Sequence, residues 1–166
     1  LDALPDDGLR HELIDGQFIM TPSPGWRHQS VSSTLGRVLG NALRGTGMEV
    51  LHAPFDVVLG ANVVEPDLIV AQRTSFSTLG HEALPLLAVE ILSPSTARID
   101  RGRKRELYAE FGVAHYWIVD PSEPSVTIME LDGGPYEVVA HAVGDASVSV
   151  ASPVALTFTP AELTRG

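Results

Sequence analysis

The 166-residue chain carries 21 acidic against 11 basic side chains, a formal net charge of −10, and it has no cysteine. The missing thiols exclude disulfides, zinc–thiolate centres and a cysteine nucleophile. A hydrophobic fraction of 44% suits one folded domain over residues 1–166, and no apolar run approaches the ~20 residues of a membrane span. The amino terminus lacks the basic-then-apolar pattern of a signal peptide, so a cytoplasmic protein is expected.

In chain order, Asp15-Gly16 between the partly apolar runs of residues 11–14 and 17–20 predicts a β-hairpin. Ser23-Pro24 predicts a helix start, with a capping hydroxyl followed by proline at the first helical position. Val31, Leu35, Val38, Leu39, Ala42 and Leu43 continue it at helical spacing until Gly45 and Gly47. A strand is predicted over 50–59, turned by Gly60-Ala61-Asn62 into a second strand over 63–71. Residues 72–84 read as a loop with at most one helical turn. The near-continuous apolar run 86–92 predicts a strand buried on both faces. A second helix is predicted from about Ala97 to Phe111, stopped by Gly112, and a buried strand over 115–119 follows. Short strands over 125–131, 136–141 and 146–150 come next, and Thr159-Pro160 opens a last helical turn. Helix, three strands, helix and strand thus follow one another between residues 24 and 120.

Two carboxylates lie inside apolar runs: Asp67 in Glu65-Pro66-Asp67-Leu68-Ile69-Val70 and Glu90 in Leu87-Ala88-Val89-Glu90-Ile91-Leu92. Each either marks a strand end that sees solvent or is buried with a cation, because an uncompensated buried carboxylate is costly. Lys104 is the chain's only lysine beside ten arginines. On a helix, Asp100, Lys104, Leu107, Tyr108 and Phe111 share one face, and the last three make it the core-facing one. Lys104 is thus expected to point at the sheet that carries Asp67 and Glu90, with a pKa that can fall on burial. An exposed i,i+4 pair of Asp100 with Lys104 is the plainer alternative. Glu12 and His28 are further candidates. The hydroxyls of Ser93-Pro94-Ser95-Thr96 suit a strand-to-helix turn. Arg98, Arg101, Arg103 and Arg105 flank the lysine, either as a solvated helix face or as contacts to a phosphate backbone. Trp26, Tyr116 and Trp117 are expected to pack.

These residues, in order, resemble the Uma2 family of restriction endonuclease-like proteins, a branch of the PD-(D/E)XK nuclease superfamily. The resemblance rests on Glu12-Leu13-Ile14-Asp15-Gly16, Pro24 with His28, Pro66-Asp67-Leu68, and Val89-Glu90-Ile91-Leu92-Ser93-Pro94-Ser95-Thr96. It continues through Asp100, Lys104 and Tyr108, then Gly112-Val113 and Tyr116-Trp117-Ile118-Val119-Asp120-Pro121. It implies an α/β (α+β) fold with an αβββαβ core, preceded here by a β-hairpin and followed by extra C-terminal strands. It also implies a metal-dependent DNA endonuclease. Asp67, Glu90 and the Ile91 backbone carbonyl would hold Mg²⁺ or Mn²⁺, Lys104 would be catalytic, and Glu12, Asp100 and His28 would be accessory. In the superfamily the lysine usually stands two residues after the strand's acidic residue. That position is Leu92 here, and the resemblance implies that Lys104 replaces it. The resemblance further implies a homodimer. The net charge favours a rival reading, a nucleic-acid-binding or regulatory module on the same fold that does not cleave. A glycosidase-like carboxylate pair fits poorly, because aromatic content is only 6% and leaves little to rim a saccharide cleft.

Overall fold

The computed structural model describes residues 8–165 apart from 78–79 and 82–83. The Asp15-Gly16 turn is built as expected. Both residues have positive φ, 52° and 77°, as a two-residue type I′ turn requires, and they join β1 (Leu9–Ile14) to β2 (Gln17–Pro22). Along β1 the side chains alternate. Glu12 and Ile14 are buried and Arg10 is partly so, which puts two charges on the inward face of an edge hairpin.

Helix α1 (Trp26–Ala42) begins later than Ser23-Pro24 suggests. Its N-cap is Gly25, without a side-chain cap, because the Ser23 hydroxyl instead donates to the Gly8 carbonyl at 2.8 Å. Trp26 is also not a packing residue: it is 71% exposed, whereas Trp117 is fully buried. The strand predicted over 50–59 is two strands in different sheets, β3 (Met48–His52) and β4 (Val57–Leu59). Pro54 lies between them, and proline cannot continue a ladder. The strand predicted over 63–71 likewise divides into β5 (Asn62–Val64) and β6 (Leu68–Gln72), broken at Glu65-Pro66-Asp67.

The sheet order makes sense of both breaks. β3, β6 and β9 (Leu87–Ile91) form an antiparallel meander, and β10 (His115–Asp120) lies parallel to β9. With α1 and the helical run 97–110, this is the expected αβββαβ core. The six-stranded central sheet runs β12-β11-β10-β9-β6-β3, with β11 (Ser125–Glu130) and β12 (Glu137–Val143) added in antiparallel fashion. The β4–β5 hairpin leaves this sheet to join β1 and β2 in a four-stranded one. The predicted 72–84 loop holds a 3₁₀ turn (Arg73–Ser75) and a pair of two-residue strands, β7 (Phe76–Ser77) and β8 (Gly80–His81); its remaining residues lie partly outside the described ones. At the C-terminal end, β13 (Val148–Val150) pairs with β14 (Leu156–Phe158), a strand the sequence pattern does not reveal. A short helix opened by a Thr159–Glu162 capping box follows, as Thr159-Pro160 suggests.

Apolar residues line both faces of the central sheet. Leu68, Val70, Leu87, Val89, Ile91 and Trp117 pack with Val31, Leu35 and Leu39 of α1. On the other face, Ile69, Ala88, Tyr116 and Ile118 pack with Leu107, Tyr108, and Val57 and Leu59 of the smaller sheet. By the period-2 alternation, Glu90 shares the second face with Ala88. The predicted second helix is composite, with a turn α2 (Ala97–Ile99), a π-helical segment (Asp100–Lys104) and α3 (Arg105–Glu110). The π-turn falls on the two charged residues of the inward face, and such turns concentrate at functional sites.

Helix α1 approaches β3 closely at Gly36, where an added Cβ would stand 2.3 Å from the His52 imidazole and 3.3 Å from Leu68. Gly36→Ala should therefore lower stability by about 1 kcal/mol, since overpacking outweighs the ~1 kcal/mol gain in helix propensity. In a His52→Ala background, the same substitution should become neutral or stabilising. Denaturant midpoints of the four proteins check this, and a plain stabilisation by Gly36→Ala alone contradicts it.

Candidate active site

The chain passes from the smaller sheet to the central one at Glu65-Pro66-Asp67, and the β6–β9 register fixes what Asp67 meets. Leu68 pairs with Val89, so one step further along these antiparallel strands Asp67 stands opposite Glu90, on the same face. Directly opposed side chains have Cβ atoms about 5 Å apart. Both carboxylates are buried, at 3% and 1% exposure, so the reading of Asp67 and Glu90 as solvent-facing strand ends does not hold.

Each carboxylate has its own set of donors. Asp67 Oδ1 accepts from Arg10 at 2.9 Å, and Oδ2 accepts from the Ile91 backbone N–H at 2.7 Å and lies 3.0 Å from His28 Nε2. Burial alone would raise this carboxyl, but His28, Arg10 and the Ile91 amide outweigh it and hold Asp67 below the usual range. Glu90 Oε1 accepts from Lys104 Nζ at 3.0 Å and from the Tyr108 hydroxyl at 2.9 Å. Here burial wins, and Glu90 is held well above the ordinary carboxyl range despite Lys104.

Lys104 is where the sequence places it, 1% exposed on the inward helix face. It is not an exposed partner of Asp100. Its ammonium lies 2.7 Å from Glu12, 3.0 Å from Glu90 and 3.6 Å from Asp100. Burial would lower its pKa, but the three carboxylates reverse that and raise it. The expected fall on burial is thus overturned, and Lys104 is a fixed ammonium rather than a free amine. Asp100 is itself raised by burial, and both its oxygens are buried without a hydrogen-bond partner. The Tyr116 hydroxyl holds the Asp100 backbone carbonyl at 2.8 Å.

Glu12, His28 and Asp100 therefore all join Asp67, Glu90 and Lys104. Arg10 and Tyr108 were not among the sequence candidates. Arg10 bridges Asp67 and Glu65, the latter at 2.7 Å. Its one signal in the sequence is its position two residues before Glu12 on a strand, which puts both on one face. Tyr108 carries the same kind of signal, four residues after Lys104 on the helix. A cavity of about 170 Å³ opens onto the cluster, lined by Asp67, Glu90, Asp100 and Lys104 with His28, Arg10 and the hydroxyl-bearing Ser93, Ser95 and Thr96. Ser93 Oγ lies 3.0 Å from the hydroxyls of both Ser95 and Thr96, so this turn is shaped by its own side chains.

The flanking arginines are largely engaged within the protein. Arg103 forms a two-pronged contact with Asp15 at 2.7 and 2.8 Å and a further one with Glu110 at 2.8 Å. Arg105 donates to the Tyr136 carbonyl, and Arg101 reaches Asp120 at 3.2 Å. Arg98 is exposed.

Among the described residues no three His, Cys, Asp or Glu side chains converge as a group that could hold a metal ion, so a cation here would draw on two carboxylates with backbone and water oxygens. With Glu12, Glu90 and Asp100 ionised, one ammonium would face three buried carboxylates, with Asp100 offset by Lys104 at 3.6 Å and by the Thr96 side chain. The three donors to Asp67 use three of a carboxylate's roughly four acceptor sites, leaving Oδ1 able to take one more ligand. Oxygen donors of this kind suit Mg²⁺ or Mn²⁺.

Known proteins bear on the same features. The family profile described as "Uma2: Putative restriction endonuclease" matches residues 1–162. A solved structure, titled as a putative nuclease belonging to DUF820 from Anabaena variabilis ATCC 29413, superposes with a TM-score of 0.75. The two share 22% identity, over 97% of this chain and 93% of that one, so the likeness is one of fold. The uncharacterized protein slr1290 of Synechocystis sp. is 33% identical over 108 residues, 60% of this chain and 54% of its own length. The chain thus spans about half of that curated relative. With the profile match over nearly its whole length and the restriction-endonuclease-like core in place, this chain belongs to the Uma2 family of restriction endonuclease-like proteins.

Proposed function

We propose that the chain is a metal-dependent endonuclease that hydrolyses phosphodiester bonds in DNA. The observation that carries this is that buried Asp67, just before β6, and buried Glu90 on β9 line one cavity, with the sole lysine 3.0 Å from Glu90. Asp67, Glu90 and the Ile91 carbonyl would hold Mg²⁺ or Mn²⁺, with water and phosphate oxygens completing the shell. The bound cation would polarise the scissile phosphate and lower the pKa of a water.

The chain's own groups divide the remaining work. Arg10, His28 and the Ile91 amide keep Asp67 ionised and aimed. Tyr108 and Lys104 fix Glu90 from the helix side. The Lys104 ammonium, kept protonated by its carboxylate neighbours, offsets negative charge developing on the phosphate and does not serve as the base. Arg98 and Arg101 would steady the DNA backbone, whereas Arg103 and Arg105 principally brace the fold. A homodimer would let two sites act on two strands. Supporting it, Val138, Val139 and Val143 are exposed on the edge strand β12, and such an edge favours pairing with another chain. The rival reading, a binding module that does not cleave, draws support from the internal commitments of Arg103 and Arg105.

Cleavage of supercoiled plasmid should require Mg²⁺ or Mn²⁺, and Asp67→Asn and Glu90→Gln should each lower the rate at least about 100-fold. Metal-dependent cleavage that survives in both variants would sink the assignment. No cleavage by any of the proteins would favour the binding module.

Divalent cation should also stabilise the protein. Saturation at a hundred times Kd adds about 2.7 kcal/mol, roughly 5–10 °C in Tm for a chain of this size, and Glu90→Gln should abolish most of that gain. Equal shifts in both proteins by scanning calorimetry would contradict the ligand set.

The pH dependence follows from opposite shifts. Glu90 is raised in the folded state, so its contribution to stability is present below its unfolded pKa and lost as pH rises through the folded one. Asp67 is lowered, so its contribution is present above its unfolded pKa and lost as pH falls through the folded one. In chelator, Glu90→Gln should therefore gain stability relative to wild type as pH rises above the ordinary carboxyl range, while Asp67→Asn should lose least at low pH. Parallel Tm profiles for all three proteins would contradict both assignments.

A further inference from the structure

Trp26 has no role in the site described so far, and its surroundings differ from the rest of the surface. It is the most exposed large apolar side chain among the described residues, at 71%. The Arg27 guanidinium lies over its ring, 5.6 Å from the centroid. Together they border a cavity of about 270 Å³ whose other wall is Pro121 and Pro124, just past the end of β10. No carboxylate lines this cavity, in a chain with a net charge of −10, so its one charged wall residue is a cation.

Its place relative to the catalytic cavity is fixed on two sides. Gly25 and His28 line the catalytic cavity, while Trp26, Arg27 and Ser30 line this one, so the first turns of α1 form the wall between them. On the sheet side, β9 and β10 run parallel. Their carboxyl ends bring Glu90 and Ile91 alongside the strand that leads into Pro121. A strand of nucleic acid whose phosphate sat at Asp67 and Glu90 would pass the first turns of α1, the wall that the two cavities share.

We infer that the Trp26–Arg27 cavity is a stacking subsite for an unpaired nucleobase next to the scissile phosphate, so that the substrate is DNA with single-stranded character at the cleavage point. The inference rests on the nuclease reading above and specifies its substrate class. An indole face with an arginine over it, and apolar proline opposite, is the sequence-tolerant combination that holds bases in single strands. A base paired within a duplex has both faces stacked and cannot offer one to Trp26.

Tryptophan fluorescence in chelator tests this without cleavage. Trp117 is fully buried, so a change in emission on adding DNA reports Trp26. Oligothymidylate should quench the emission more strongly than a duplex of equal length. Trp26→Ala should weaken single-strand affinity at least about fivefold, and Trp26→Phe, which keeps a stacking face, should retain most of it. Equal quenching by duplex, or unchanged single-strand affinity in Trp26→Ala, overturns the subsite. So does a Trp26→Ala protein that dissociates into monomers by light scattering when the wild type shows no quenching, because the ring then contacts a second copy of the chain. The plasmid assay separates this inference from the one beneath it. Cleavage that needs Asp67 without any quenching removes the subsite alone, whereas quenching without cleavage removes the nuclease reading and leaves a single-strand binder.

Discussion

Three buried carboxylates around one buried ammonium form the constraint on which the rest of this structure depends. Glu12, Glu90 and Asp100 each belong to a different element, and Lys104 on the π-turn is within 3.6 Å of all three. Removing one partner from a buried ionic cluster costs about 3–5 kcal/mol, so the hairpin, the central sheet and the helix cannot shift independently. A second anchor outside the core acts in the same sense, where Arg103 ties the hairpin turn at Asp15 to the helix. The fold thereby gathers three carboxyl groups around one ammonium in its interior, an arrangement that is costly unless each charge is compensated. Carboxyl oxygens in a cavity open to solvent are what a divalent cation would bind and neutralise.

The same cluster reassigns the lysine. A buried lysine surrounded by apolar groups loses its proton easily and can act as a base. Lys104 is surrounded by acceptors instead, and its pKa moves the other way. Its contribution is a charge of fixed sign and position, reached from the helix after β9 rather than from the strand itself. Leu92, where the superfamily usually has its lysine, is buried in the apolar cluster with Tyr108 and Tyr116, so the strand position serves packing while the helix supplies the cation.

Much of this was legible in the sequence because local patterns dominate it. The Asp-Gly turn, the buried run 86–92, the inward face of Asp100, Lys104 and Tyr108, and the order of core elements all follow from periodicity and turn chemistry. The two strands broken at Pro54 and Pro66 were not legible as breaks. Apolar residues resume beyond each proline, and only the sheet order shows that the chain changes sheets there. Arg10 was hidden for a related reason: its partners Glu65 and Asp67 lie 55 and 57 residues away, and no local pattern encodes a contact of that range. Trp26 failed as a core residue because it opens α1 on the face shared with the exposed Ser33 and Arg37, opposite the one that carries Val31, Leu35 and Leu39.

Locating manganese tests the central claim most directly. A crystal soaked in Mn²⁺ and measured at its absorption edge should show one strong anomalous peak, about 2.1 Å from oxygens of both Asp67 and Glu90, with Lys104 Nζ still against Glu90. A peak bound elsewhere, or none at a concentration that supports cleavage, would contradict the assignment of this cluster as the metal-dependent centre.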